Sequence, residues 1–299
     1  MNTKKTSIFA AALLITALAV TTSHALVGAG IHWGFDLSMS MDDDSDRIGA
    51  GAIPGGAAFL SGLGLNSDLD LFRFHRSGWD RSVINFGGKV YIDFIPVIPI
   101  DAIEISCNFG LWQYNGVLEY ISGVDFETGN PTYSKIPLGL EQMGMKSYFG
   151  MGGLPYAKLH FDVTLKRQLL NLWLIKFDGG MGMSAHFATP LLSAGLIEDV
   201  IGSTGNIGEL LTALTANDPA AATAFGKEIV EEIRDNTLGR PAFGAHILLG
   251  ARAKLPVIPI GIYVDGKFMM PFGKFIDKDE GKGINGWGIL LNTGISLSI

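Results

Sequence analysis

Along the chain, apolar and polar side chains alternate with a period of two in segment after segment. In the last of these, Trp287, Ile289, Leu291, Thr293, Ile295, Leu297 and Ile299 share one face, and Gly288, Leu290, Asn292, Gly294, Ser296 and Ser298 share the other. Such a period belongs to a β-strand with two chemically different sides. The cleanest case sets Ala157, Leu159, Phe161, Val163 and Leu165 against Lys158, His160, Asp162, Thr164 and Lys166. Similar alternation near 31–40, 83–94, 103–112, 173–187, 245–254 and 260–270 brings the expected strands to eight.

Each segment matches the roughly 9 to 11 residues that a tilted strand needs to cross a bilayer. The connections fall into two kinds. Short ones at 95–100, 167–171 and 255–259 alternate with long ones at 41–81, 113–154, 188–241 and 271–285. Short turns at one end and long loops at the other are expected of a closed, antiparallel, up-and-down transmembrane β-barrel. Ten strands are the alternative, because 117–121 and 133–140 in the second loop could form a further hairpin. One echo accompanies this pattern: Pro96-Val97-Ile98-Pro99-Ile100 recurs as Pro256-Val257-Ile258-Pro259-Ile260 at two of the short turns. Proline removes a ladder donor and suits the end of a strand.

The N-terminus supplies the address. Lys4 and Lys5 precede an apolar run from Ile8 to Val20, and the small residues that follow end in Ser23-His24-Ala25. This is expected to be a secretory signal peptide, 1–25, that leaves a single barrel domain over 26–299. Its removal takes two lysines from 22 basic residues against 29 acidic ones, so the mature chain carries a charge near −9. That balance disfavours nucleic acid as a partner. Mean hydropathy is +0.31 with only 17% charged residues, yet no mature stretch is long enough for a spanning helix. In lipid, backbone polar groups are satisfied by helices or by closed barrels, so high hydropathy again points to the barrel. Cys107, the only cysteine, lies on the apolar side of its strand and reads as a small hydrophobic residue.

A membrane barrel turns its apolar face outward; a soluble, lipocalin-like barrel turns it inward. The polar faces here combine charges with many of the 40 glycines, which fits a narrow, filled interior. The aromatics Trp33, Phe94, Trp173, Phe187, Phe272 and Trp287 lie near the ends of the apolar faces, as interfacial girdles do. The outward assignment of the apolar face is therefore preferred. The lumen is then expected to be lined by Asp36, Lys89, Asp93, Glu104, Lys158, Asp162, Lys176, Asp178, Arg252, Asp265 and Lys267. Charges so confined must pair or meet water.

Function, on this reading, belongs to the loops. Asp42, Asp43, Asp44 and Asp46 have the spacing that opens a calcium loop, but Arg47 stands where glycine belongs and Ile53 where the closing glutamate belongs. A solvated acidic tip is preferred, and no metal or cofactor is expected. The apolar stretch 49–65 is expected to fold over the mouth or rest at the lipid interface. The third loop has helical spacing over 191–201, 207–214 and 220–234, with Phe225, Ile229, Val230 and Ile233 on one face. These helices are expected to pack among themselves above the barrel, with a lid or plug as the alternative. His32, His160, His186 and His246 share the inward face with Ser38 and Ser184, but such sets arise by chance where every polar residue points inward. No enzyme is expected.

In architecture the chain resembles the small bacterial outer-membrane β-barrels, the class with OmpA-, OmpX- and OmpW-like members. The resemblance covers the leader, the eight alternating strands and the alternation of short and long connections; no family-specific motif is matched, and the terminal Ile299 departs from the aromatic residue often found there. It implies a Gram-negative outer-membrane location with periplasmic termini and extracellular loops. It also implies lipid and lipopolysaccharide as surroundings, and the barrel-assembly machinery as a partner during biogenesis. The expected function is a structural or surface-binding role carried by the loops. A narrow channel for small or apolar solutes is the alternative, and a lipid-modifying enzyme a lesser one.

Overall fold

A computed structural model describes residues 27–37, 43–79, 81–93, 100–125, 127–141, 143–146, 150, 152–203, 207–216, 218–235, 242–254, 258–272 and 287–298. Eight strands close into an antiparallel barrel: β1 (Val27–Asp36), β4 (Arg81–Asp93), β5 (Ala102–Tyr114), β8 (Leu154–Leu172), β9 (Ile175–Ala188), β10 (Ala242–Lys254), β11 (Ile260–Pro271) and β12 (Gly288–Ser298). Around the barrel the order is β1-β12-β11-β10-β9-β8-β5-β4. Closure is made by β1, which pairs with β12 from Gly28↔Ser298 to Asp36↔Leu290 and with β4 from Val27↔Ile92 to Trp33↔Phe86. No sheet edge is left open in the barrel.

Because side chains alternate across a strand, each segment turns one set of residues to each side of the wall. The apolar set faces outward on all eight strands. Ile31 is 67% exposed, Ile105 56%, Met181 69%, Leu249 64% and Ile262 62%. Lys89, Glu104, Lys158, Asp162 and Lys267 are buried inside. The polarity is the reverse of a soluble barrel with an apolar interior. Cys107 is on the outer wall and is free.

The first two long loops are not irregular. They supply β2 (Asp44–Gly49), β3 (Asp70–Arg76), β6 (Gly116–Val124) and β7 (Pro131–Leu138), which form a separate antiparallel sheet in the order β2-β3-β6-β7. The hairpin foreseen in the second loop therefore exists, but it joins this cap sheet and leaves the barrel at eight strands. No strand was expected in the first loop, because the acidic run over 42–46 has the composition of an exposed tip. A short helix α1 (Gly56–Gly62) also lies in this loop; it buries Leu60 in the cap core.

The third loop provides α2 (Ala194–Ser203), α3 (Ile207–Thr215) and α4 (Pro219–Asp235). Asp218 caps α4 by accepting the N–H of Ala220 at 2.8 Å. The apolar face of α4 buries Phe225, Ile229, Val230 and Ile233, and Phe225 stacks on Phe72 of β3 with ring centroids 5.8 Å apart. Helices on one side of a sheet give this cap its own hydrophobic core. That core continues down to Tyr114, Leu154 and Tyr156 at the barrel mouth.

One turn differs from expectation. Sequence places it at 167–171, where polar residues cluster, but β8 runs on to Leu172 and the chain reverses at Trp173 and Leu174. Pairing with β9 continues past the barrel rim through Arg167↔Gly179 to Leu172↔Ile175, with a register shift between Gln168 and Leu170. Trp173 has φ 41, the left-handed conformation that a tight two-residue turn demands. The proline echo and the fourth long loop lie largely outside the described residues, as do the leader, Phe94, Ser38, Asp42 and Ile299.

Candidate functional site: the barrel lumen

Strand register stacks the inward residues in layers. At the end of the short turns, Asp178 on β9 lies 3.6 Å from Lys166 and 3.9 Å from Arg252. One layer further in, Glu104 on β5 bridges Lys166 at 3.1 Å and Lys89 at 3.3 Å. Lys89 also bonds Asp265 and lies over the Tyr263 ring, 3.4 Å from its centroid. These charges form a connected chain across six strands. Every member has an opposite charge close by, which is what offsets removal from water.

At mid-height Lys267 meets Asp162 at 2.7 Å and donates to Ser106. Asn108 donates to Asn292 at 3.2 Å, and His32 is 3.0 Å from the Tyr263 hydroxyl. Nearer the loop end, Lys158 pairs with Asp36 at 3.2 Å, while His160 and His186 meet through their Nδ1 atoms at 2.8 Å. Of the remaining expected lining residues, Asp93 and Lys176 stand at the turn end, beside a cavity.

Above these layers the mouth is filled by aromatic rings. Trp79, on the segment leading into β4, lies 5.0 Å from Tyr156, 6.0 Å from Tyr114 and 6.2 Å from Trp112 between centroids. Trp112 folds down over Gly110, where a Cβ would sit 2.2 Å from its ring. Glycine is needed there for close approach. The Tyr114 hydroxyl accepts the N–H of Leu192, and Arg76 donates to the Leu192 carbonyl at 2.8 Å, so the seal is tied to the cap. Trp79 and Arg76 gave no sign of this role in sequence, since both lie in a loop whose fold was not foreseen.

A serine and a histidine do come together. Ser184 Oγ is 2.7 Å from His246 Nδ1, and Thr164 Oγ1 is 2.8 Å from His246 Nε2. The third position of a triad is thus taken by a hydroxyl, and Ser184 and His246 are 2% and 1% exposed. A nucleophile requires a base oriented by an acid and a place for substrate, and this trio has neither. Its chemistry is that of a hydrogen-bonded core network.

The acidic run of the first loop is occupied with protein partners. Asp44 pairs with Arg76 at 2.8 Å, and Asp43 accepts the N–H of Gly78 at 2.7 Å. Among the described residues no group of three or more His, Cys, Asp or Glu side chains converges on a metal position. The chain matches no protein-family profile and no curated protein sequence.

Proposed function

We propose that the protein is an integral outer-membrane β-barrel with a structural or surface-binding role, performed by the folded cap that its long loops build. The observation that carries this reading is the inverted polarity of the wall. Phe35, Trp33, Val163, Phe243 and Leu297 are 70%, 54%, 49%, 62% and 45% exposed, while lysines and carboxylates are buried within. In water such a belt would drive association; against hydrocarbon it is the stable arrangement. Trp173 at one end and Trp287 at the other, 74% and 51% exposed, suit the two interfaces. The termini and short turns then face the periplasm and the cap faces outward, with lipid and lipopolysaccharide around the barrel.

Cell fractionation tests the location. The protein is expected in the outer membrane, resistant to alkaline extraction, and its unheated form should migrate differently from its heated form on a gel. A peptide tag inserted in the Asp125–Asn130 turn between β6 and β7 should be detected on intact cells. Recovery as a soluble protein, or detection only after lysis, overturns the reading. The filled lumen and the aromatic seal support a closed barrel over a channel, so planar bilayers should show no reproducible conductance steps.

A further inference from the structure

Below the Glu104 layer the lumen widens into a cavity of about 340 Å³ that opens at the turn end. This is toward the small end of ligand-sized pockets. Its inner wall is internally neutralised, because Arg252 turns to Asp178 while Lys166 is shared between Asp178 and Glu104. Arg252 in addition lies 4.8 Å from the centroid of the Tyr91 ring. The rim differs. Lys176 of β9 and Asp93 of β4 line it from inward positions on strands that are not neighbours, whereas Arg167 of β8 and Asp101 beside β5 are cross-strand neighbours one step beyond the Ala102↔Lys166 pair. Asp101 accepts the N–H of Gln168 at 2.6 Å; Asp93, Arg167 and Lys176 enter no ion pair among the described residues.

We propose that this vestibule binds a small zwitterionic amino-carboxylate of roughly dipeptide size, with its carboxylate against Lys176 and its ammonium against Asp93. A simple anion would gain Lys176 but face Asp93; a simple cation meets the converse. Only a ligand carrying both signs matches both sides, because like-charge juxtaposition opposes binding as strongly as pairing favours it. Inward of the cavity Glu104, Lys89 and Asp265 are buried and paired with one another, so the ligand leaves by the side it entered. The vestibule is therefore a receptor site and not a conduit. Its chemistry stands independently of the membrane reading; only the supplying compartment, the periplasm, rests on it.

Calorimetric titration of the mature chain in detergent with glycylglycine, N-acetylglycylglycine and glycylglycine amide tests the proposal. Saturable binding of glycylglycine is expected, with about a tenfold or greater loss for each capped analogue, equivalent to about 1.4 kcal/mol or more. Lys176→Gln and Asp93→Asn should each weaken glycylglycine by a similar factor while leaving the heat-dependent gel shift intact. Equal binding of the acetylated analogue would make this an anion site, and equal binding of the amide a cation site. Either result overturns the proposal, as does the absence of binding by all three, or variants that keep full affinity. Failure of the membrane assignment would appear instead as a protein that gives the same titration without detergent.

Discussion

Replacing Asp162 by asparagine separates a dry, closed lumen from a wet one. Asp162 is 1% exposed and holds Lys267, 2% exposed, at 2.7 Å, while accepting from Ser106 at 3.3 Å. Asp162→Asn keeps the shape of the side chain and leaves the Lys267 ammonium with the Ser106 hydroxyl as its remaining close partner. At an effective dielectric constant near 20, a pair at 2.7 Å attracts by about 6 kcal/mol before desolvation is counted. At the dielectric constant of bulk water the same pair is worth about 1.5 kcal/mol, and exposed pairs measure about 0–1 kcal/mol.

A buried cation stripped of its partner is therefore expected to cost about 3–5 kcal/mol. Guanidinium unfolding of the refolded protein in micelles, followed by tryptophan fluorescence and by loss of the gel shift, measures it. The companion variant Lys267→Met should recover most of the loss when combined with Asp162→Asn, because removing both charges leaves nothing uncompensated. If Asp162→Asn costs under about 1 kcal/mol and the two substitutions simply add, water solvates the lumen charges and the closed-barrel argument fails.

Three further outcomes are expected. Gly110→Ala places a Cβ 2.2 Å from the Trp112 ring, so the ring should leave the seal; greater acrylamide quenching of tryptophan with an unchanged gel shift checks this, and unchanged quenching refutes it. Phe225→Ala empties the contact with Phe72 in the cap and should cost the cap about 3–5 kcal/mol, read as faster proteolysis of 194–235 with the barrel core still protected. Asp125 accepts the Glu127 N–H and the Thr128 hydroxyl, which hold its carboxyl below the usual range. A depressed carboxyl stabilises the β6–β7 turn above the ordinary aspartate pKa, and that contribution is lost as pH falls through the lowered folded value. Proteolytic nicking of the turn should accordingly rise on acidification in the wild type, and Asp125→Ala should remove that dependence.

The barrel was legible because its signal repeats. Every second residue from Ala157 to Lys166 changes polarity, and a slip of one position would put Lys158 and Asp162 into the apolar face. The inward charge set follows from that parity alone. Parity does not show which charge meets which, since Glu104 and Lys89 are brought together by the offset between β4 and β5 rather than by any local pattern. The cap was harder to read for a different reason. In β3, Phe72 and Phe74 alternate with Arg73 and His75, a pattern as clear as that of a barrel strand but only seven residues long. Its partners in β2 and β6 lie far away in the chain. The third-loop helices are local structures with caps and apolar faces, and their positions agree with expectation to within a few residues.

The two ends of this barrel are built to different rules, and the strand interior explains why. Toward the loops the inward side chains grow aromatic, and Trp112 and Tyr156 meet a ring donated by the cap, so the mouth closes by apolar contact that water cannot easily enter. Toward the turns they remain charged, and the chain from Asp265 through Lys89, Glu104 and Lys166 to Asp178 runs out to the vestibule wall. Asp178 is where the buried chain meets the cavity, since it serves both Lys166 and Arg252. A ligand that drew Arg252 away would leave Asp178 to Lys166 alone, strengthening that pair and loosening the hold of Lys166 on Glu104. Each step is a choice between partners already in contact, which is the physical basis for transmitting a bias through a packed interior. The aromatic rings themselves carry no charge that could receive the bias, so it should stop below Trp112. Ligand in the vestibule is thus expected to alter hydrogen exchange in β5 near Glu104 and leave the cap helices unchanged; altered exchange in the cap would show that the aromatic layer transmits after all.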